Sequence, residues 1–572
     1  MSSRDGTSTA TSVSDHLFPG PEWRTVATRR TILAVVHNVT AATRLLDVLP
    51  IVACDPRVQV VFTRTGSSEL DAGTTEFLNR NGIVELPWER ALTVGADLAI
   101  AASYGGELHR IPAPLMVLPH GIGYNKYLKS KIENRKSVFG LSRPWLMHEG
   151  RLVPSVIILS HPEQLERLRA ACPEAVDAAL VAGDPCFDRM LASLPLRETY
   201  RQALGVAPGQ RLIVLSSTWA EPSLYGSKPM LARELAARLP LDDYRLALAL
   251  HPNIHAGHSP WQVRLWTEAC ARAGVLVLAQ EDLWRPALVA ADLTIGDHGS
   301  VTFYSAALGT PVLLAAAPEH TVDPASPIGQ LLATAPRLGA DPRTQIEQTI
   351  AAHDPACHAP ITERTTALPG ASVPVLRRTI YRLLDLPEPA DGPDLTALPV
   401  PEVTPPEPGA QLVRAEPRPD GAGGLTATVR RYPAEALAEP AHAPADAHLV
   451  VSTSEPNTRL LDLADVLVHE GSAEAAEWIK GTLAALPGCA LAMAPAGERD
   501  WLVGGAACSP VRLTEVTGRA ALFASVLYAW LAAGRSLAEL PERLSLRVAG
   551  REYSARLSRA HPAGPAPPAR GG

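Results

Sequence analysis

Short, uniformly apolar runs punctuate this chain, and they come in two series. In the first, TILAVVHNVT (31–40), VQVVFTR (58–64), ADLAIAAS (96–103) and LMVLP (115–119) have the apolar, often β-branched character of strands covered on both faces. AATRLLDVLPIVAC, after the first run, has helical spacing. PSVIILSHPEQLERLRAAC (154–172) reads as a strand, a break at Ser160-His161-Pro162 and a helix, and AALVAGDPCFDRML (178–191) as a strand and a turn. The second series is RLIVLSST (211–218), YRLALALHP (244–252), GVLVLAQ (274–280), ADLTIGD (291–297) and PVLLAAA (311–317), with helical segments between its members. Strands alternating with helices predict parallel sheets. The expected fold class is therefore α/β, with two Rossmann-like domains over 29–200 and 201–386 facing each other across a cleft.

Beyond residue 386 the pattern lapses. PEPADGPDLTALPVPEVTPPEPGAQ and the Pro- and Ala-rich sequence up to 446 predict a semi-extended linker. Apolar periodicity returns over 447–560 and predicts a small accessory domain, α/β or α+β, whose role the sequence does not give. Residues 1–28 and the tail 561–572 read as disordered.

Composition narrows the function classes. At 572 residues the chain exceeds what a single core organises, in keeping with this division. A formal charge of −7 and a pI near 6.2 provide no global field for nucleic acid. The seven cysteines (54, 172, 186, 270, 357, 489 and 508) lack any CxxC spacing, which favours free thiols in a reducing cytosol over disulfides or a zinc site. MSSRDGTSTATSVSDHLFPG has no apolar signal-peptide core, and no run reaches the roughly 18 apolar residues of a spanning helix. The expected location is the cytoplasm, with the loop KYLKSKIENRK (126–136) offering a basic surface to the inner face of the membrane.

Polar turns stand where the apolar runs end, the position at which open α/β sheets bind ligands. In VLPHGIGYNKYLKSK (117–131), His120 lies between Pro119 and Gly121. A histidine, with an ordinary pKa of about 6.5, suits a general base acting on a hydroxyl. Lys126 and Lys129 add positive charge for an anionic substrate. In ADLTIGDHGSVTFYSAALGTPVLLAA (291–316) a strand ends at Asp297, His298-Gly299 turns the chain, and Ser300 is placed to cap a helix running to about Leu308. The free N–H groups of such a helix start make a phosphate site, and Gly299 permits close approach. His251 before Pro252 and the run Ser216-Ser217-Thr218-Trp219 end two further strands, and VAGDPCFD (181–188) makes another polar turn. His37 and Glu107 are further acid–base candidates, whereas His161 reads as a turn residue. GxxxxGK[ST], HExxH, GxSxG and a clean GxGxxG are missing, which removes P-loop hydrolysis, zinc proteolysis and the usual serine-hydrolase chemistry.

In their order, these segments resemble the CDP-glycerol glycerophosphotransferase family, the teichoic-acid primases and polymerases of GT-B glycosyltransferase fold. The family's His-Gly loop, GxPRxD-like turn, PTWR-like strand end, HP strand end and DYSSVxFDxxxLxxP-like segment correspond to PHG (119–121), GDPCFD (183–188), STWA (217–220), HP (251–252) and DHGSVTFYSAALGTP (297–311). The resemblance covers roughly residues 30–320. It implies that a glycerophosphate-like or glycosyl group passes from a nucleotide-activated donor to a hydroxyl-bearing glycan or polyol-phosphate acceptor, without a metal or other cofactor. His120 would be the base, with Gly121 and Lys126 in its loop. His251 would bind a donor phosphate, and Ser300 with the N–H groups of Gly299 and Val301 would hold the diphosphate. Thr218 and Trp219 would lie by the donor pocket, with Asp297 and His298 in the turn that carries it. Cys186 and Ala220 stand where the family tends to have arginines, so a donor related to CDP-glycerol is expected over CDP-glycerol itself. Two other readings stay open. The non-hydrolysing UDP-N-acetylglucosamine 2-epimerases, also GT-B, have similar GNTxxD and DSGGxxEEAxxLGxPV segments, although here Tyr304-Ser305 replace their paired glutamates. A degenerate GT-B scaffold would bind nucleotide without catalysis.

Overall fold

A computed structural model describes residues 25–69, 71–129, 136–278, 282–392, 395–438, 445–471, 474–506 and 508–559. Most of the N-terminal stretch expected to be disordered, the tail 561–572, the middle of the lysine-bearing loop (130–135) and the Lys129 side chain lie outside the described residues.

The first series of apolar runs forms β1 (Arg30–Val36), β2 (Val58–Arg64), β3 (Glu85–Leu86), β4 (Leu98–Ala101), β5 (Leu115–Val117), β6 (Val156–Leu159) and β7 (Ala179–Val181). They pair in parallel in the order β7-β6-β5-β4-β1-β2-β3. Helices cover both faces of the sheet, so Ile32 to Val36 and Leu98 to Ala101 are fully buried and their sequences read as unbroken apolar runs. The second series forms β8 (Arg211–Ser217), β9 (Tyr244–Leu250), β10 (Leu276–Leu278), β11 (Leu293–Gly296) and β12 (Val312–Leu314), parallel in the order β10-β9-β8-β11-β12. In each sheet the strand order reverses, between β1 and β4 and between β8 and β11. Those switch points open crevices at the carboxyl ends of the strands.

Three expected boundaries move. The helix Ser372–Leu383, assigned by sequence to the second domain, crosses back to the first. Leu376, Ile380, Tyr381 and Leu384 join the core beneath the first sheet, and the Tyr381 hydroxyl donates to Asp55 at 2.8 Å. The stretch 387–446 is not a free linker. Leu398 enters the second domain's core, donating its N–H to Ser193 Oγ at 2.8 Å and accepting from the Tyr200 hydroxyl at 2.6 Å. Two strands of the last domain also fall within that stretch, because alternating apolar residues are threaded among its prolines.

That last domain starts near 410 rather than 447, and it is a closed barrel. Strands β13 (Ala410–Pro419), β14 (Leu425–Pro433), β15 (His448–Ser452), β16 (Val466–Val468), β17 (Leu491–Pro495), β18 (Trp501–Gly505), β19 (Cys508–Thr514), β20 (Arg543–Val548) and β21 (Arg551–Arg559) run in the order β13-β14-β20-β21-β19-β18-β17-β16-β15, with β15 pairing back onto β13. Closure removes exposed strand edges. The apolar helix Ala520–Ala532 shares one buried cluster with side chains from all nine strands. The barrel docks on the second α/β domain, where Arg431 pairs with Asp242 at 2.6 Å. Among the described residues no helix is long and apolar enough to cross a membrane.

Candidate active site

The carboxyl ends of the two parallel sheets line one cleft of about 960 Å³. The first domain contributes Ser103, His120, Gly121 and Lys126, and the second Thr218, Trp219, His251, Gly299, Ser300 and Val301. Nine residues singled out from the sequence thus line one cleft.

Two of the cleft histidines, His120 and His251, are fixed in opposite tautomers. His120 Nδ1 lies 3.1 Å from the carbonyl oxygen of Ala102, just past the end of β4. A carbonyl can only accept, so Nδ1 carries the proton and Nε2 keeps a lone pair. His251 ends β9 and caps the helix Pro252–His258, its Nδ1 accepting from the Asn253 N–H at 3.1 Å. A backbone N–H can only donate, so the neutral ring carries its proton on Nε2. Burial pushes the His120 pKa down to about 4, opposed by the Ala102 bond and reinforced by Lys126, Arg44 and His37. His251 is held well below the ordinary histidine value by burial and then by Lys126 and His120. Both rings are neutral at physiological pH, one presenting a ring lone pair and the other a ring N–H. His161 caps the helix Pro162–Ala171 in the same way as His251, through the Glu163 N–H, but lies outside the cleft lining.

The loop after His120 is fastened to the opposite domain. Ser300 Oγ accepts from the Ile122 N–H at 3.2 Å, and Lys126 Nζ donates to Thr218 Oγ1 at 2.8 Å. Backbone pairing of Lys126 with Val322, and the Asp323 N–H on the Asn125 carbonyl at 2.8 Å, extend the junction. Ser300 is therefore not the helix cap expected from sequence. Gly299 occupies the N-cap of the helix Ser300–Ala307, and the serine hydroxyl reaches across the cleft instead. Gly121 leaves room for this approach, since a Cβ there would stand 2.5 Å from Ser300 Oγ and displace it. Gly121→Ala is expected to push Ser300 away and break its bond to Ile122, raising donor KM about tenfold for the loss of a net 1–1.5 kcal/mol. Adding Ser300→Gly should relieve the clash but not restore the bond, which steady-state kinetics on the single and double variants will read.

Asp297 and His298 need correction as ligand-contacting residues, because neither lines the cleft. Asp297 is 1% exposed and organises the loops behind it. One carboxylate oxygen accepts from the N–H groups of Thr218 and Leu224 at 2.9 Å each, and the other from Gly299 at 2.9 Å. Burial raises its pKa, against the pull of those N–H groups and of Lys126. The Gly299 N–H is consequently taken, and the first-turn N–H groups of Ser300, Val301 and Thr302 have no partner among the described residues, those of Ser300 and Val301 at the cleft. His298 is buried, its pKa lowered to about 3 by burial and by the charges of Lys126 and His320.

Sequence reasoning missed the floor of the cleft. Arg44, on the helix Val39–Val48, pairs with Asp184 at 2.9 Å and donates to the Tyr304 hydroxyl at 3.1 Å. Tyr304 donates in turn to Asp184 at 2.6 Å. Asp47 binds Arg285 at 2.6 Å and Arg189 at 3.0 Å. Arg44 and Arg285 are among the four arginines that line the cleft, with Arg80 and Arg264. The available signal was an arginine within each of two apolar helical runs, AATRLLDV and LWRPALVAA.

Two parallel α/β units sharing a cleft at the carboxyl ends of their strands define a GT-B-like architecture. No family model matches the sequence. The lipid-A-disaccharide synthase of Prochlorococcus marinus (strain MIT 9313) is 34% identical over 130 residues, 23% of this chain and 32% of that protein, so the chain spans about a third of the curated relative it matches. Among solved structures, a putative UDP-N-acetylglucosamine 2-epimerase from Listeria monocytogenes matches 64% of this chain and 99% of its own, at 13% identity and a TM-score of 0.41. The wall teichoic acid polymerase TagF, in a variant soaked with CDPG, matches 62% and 89% at 12% identity and 0.40. The UDP-GlcNAc 2-epimerase from Neisseria meningitidis bound to UDP-GlcNAc matches 62% and 100% at 13% identity and 0.40.

Proposed function

We propose that this cleft transfers a glycosyl or glycerophosphate-like group from a nucleotide-activated donor to the hydroxyl of a glycan or polyol-phosphate acceptor. The observation that carries this reading is the pair of opposite tautomers on His120 and His251. As the acceptor oxygen bonds to the transferred group, its proton passes to His120 Nε2. The bond from that group to the leaving phosphate breaks, and negative charge grows on the phosphate oxygen. His251 Nε2–H, the Lys126 ammonium and the N–H groups of Ser300 and Val301 are the donors placed to meet that charge. Trp219 offers a face for the nucleotide base.

The test is release of nucleotide from CDP-, UDP- and GDP-activated donors in the presence of hydroxyl acceptors. Release with one nucleotide class is expected, and His251→Ala should lower kcat/KM by about 10–100-fold for the loss of a charge-assisted hydrogen bond. Interconversion of UDP-sugars without acceptor would replace this reading with an epimerase, and binding without release would replace it with a scaffold.

A further inference from the structure

The seam between the barrel and the second α/β domain leaves a cavity of about 270 Å³, where interiors ordinarily pack without such space. One wall is built from the amino ends of β8 and β9, including Asp242 and Arg245. The other comes from the barrel and the segment leading into it, including Glu407, Arg431, Arg519, Arg551 and Tyr553. The proposed active site lies at the carboxyl ends of those same strands. Seven residues of strand at about 3.3 Å each separate the two by about 20 Å.

The charges lining this cavity do not balance. It holds four guanidinium groups, Arg245, Arg431, Arg519 and Arg551, and two carboxylates, Asp242 and Glu407. Arg431 takes Asp242. Glu407 is shared between Arg519 at 2.9 Å and Arg245 at 3.5 Å. Arg551 donates to the Pro208 carbonyl and has no carboxylate partner among the described residues. Arg245 and Arg431 are buried and each has a carboxylate partner, so the surplus positive charge rests on exposed Arg519 and half-buried Arg551 at the open side of the cavity, where it attracts an anion.

We propose that the cavity is a binding site for a small phosphate monoester that bridges the barrel and the second α/β domain. A monoester carries about −2 at neutral pH, which matches the excess. Guanidinium forks pair phosphate oxygens two at a time, and the Tyr553 hydroxyl adds a donor. At about 270 Å³ the space falls just below the usual range of about 300–1,000 Å³ for ligand pockets, which favours an ester of sugar or polyol size over a nucleotide. This assignment is independent of the chemistry in the cleft.

Calorimetric titration of the full chain at fixed ionic strength tests it, with glucose 6-phosphate, inorganic phosphate and, as the uncharged control, glucose. Arg519→Ala and Arg551→Ala remove side chains from the barrel surface outside its apolar cluster, and His251→Ala disables the distant cleft. Expected are saturable binding of glucose 6-phosphate, loss of about tenfold or more in affinity in each arginine variant, no change in His251→Ala and no heat from glucose. Binding of inorganic phosphate with exclusion of the ester would overturn the ester assignment. Saturable heat from neither anion, affinity unchanged in both arginine variants, or loss in His251→Ala would overturn the site.

Discussion

Replacing His120 with glutamine is expected to lower turnover by about 10²–10⁴-fold, the usual contribution of a general base, while nucleotide affinity holds. Glutamine can still donate to the Ala102 carbonyl, but it has no basic lone pair to offer the acceptor hydroxyl. The wild-type pH profile tests the same assignment from another side. Only neutral His120 can accept a proton, so kcat/KM falls as pH drops through the pKa of the free enzyme. With that pKa at about 4, the profile stays flat down to about pH 5, where a solvent-exposed histidine near 6.5 would already have cost most of the rate. The limb in kcat lies higher than the limb in kcat/KM, because a bound diphosphate opposes the Lys126 and Arg44 charges that add to burial in holding the imidazole down. That rise makes His120 a stronger base only once the donor is seated. A His120→Gln variant retaining turnover within a few-fold of wild type would move the base elsewhere in the cleft.

What could be read from the sequence follows from which features are local. Both parallel sheets were legible because a strand buried on two faces has to be apolar throughout. The cleft positions of His120, Lys126, Thr218, Trp219 and His251 were legible because they stand at or just after the ends of parallel strands. Ser300 was assigned to the right place with the wrong partner. A serine at a helix start is compatible with a cap, and only the approach of the opposing loop turns its hydroxyl toward Ile122. Asp297 was read as part of the ligand turn because nothing local reveals that three backbone N–H groups converge on its carboxylate. Arg44 and Tyr304 are 260 positions apart, so their contact leaves no periodic trace. The barrel's second strand did carry its signal. Leu425, Ala427 and Val429 point into the barrel core and alternate with Thr426, Thr428 and Arg430, but prolines and alanines on either side masked the alternation.

Asp184→Ala is expected to be the most destabilising single change at the domain junction. This carboxylate is 4% exposed and has three tasks. It caps the helix Pro185–Ser193 through the Cys186 and Phe187 N–H groups, pairs with Arg44 and accepts from Tyr304. Its removal strands the Arg44 guanidinium in the interior, with Asp47 at 3.9 Å as the remaining carboxylate. Breaking a buried pair in this way costs about 3–5 kcal/mol, and loss of the cap adds about 1 kcal/mol. For domains of this size that corresponds to a fall in Tm of roughly 10 °C or more. Asp184→Asn keeps a cap acceptor and should lose only the ion-pair part. Arg44→Met combined with Asp184→Leu leaves no stranded charge and should lose less than the sum of the two single changes. Function should follow stability, because Tyr304 belongs to the helix whose first turn presents Ser300 and Val301 to the cleft. Freeing its hydroxyl lets that helix shift relative to His120, so donor KM should rise even where the variant stays folded. Unfolding of Asp184→Ala within about 2 °C of wild type would mean that Arg44 re-pairs with Asp47, and the cleft floor would then be held by Asp47 rather than Asp184.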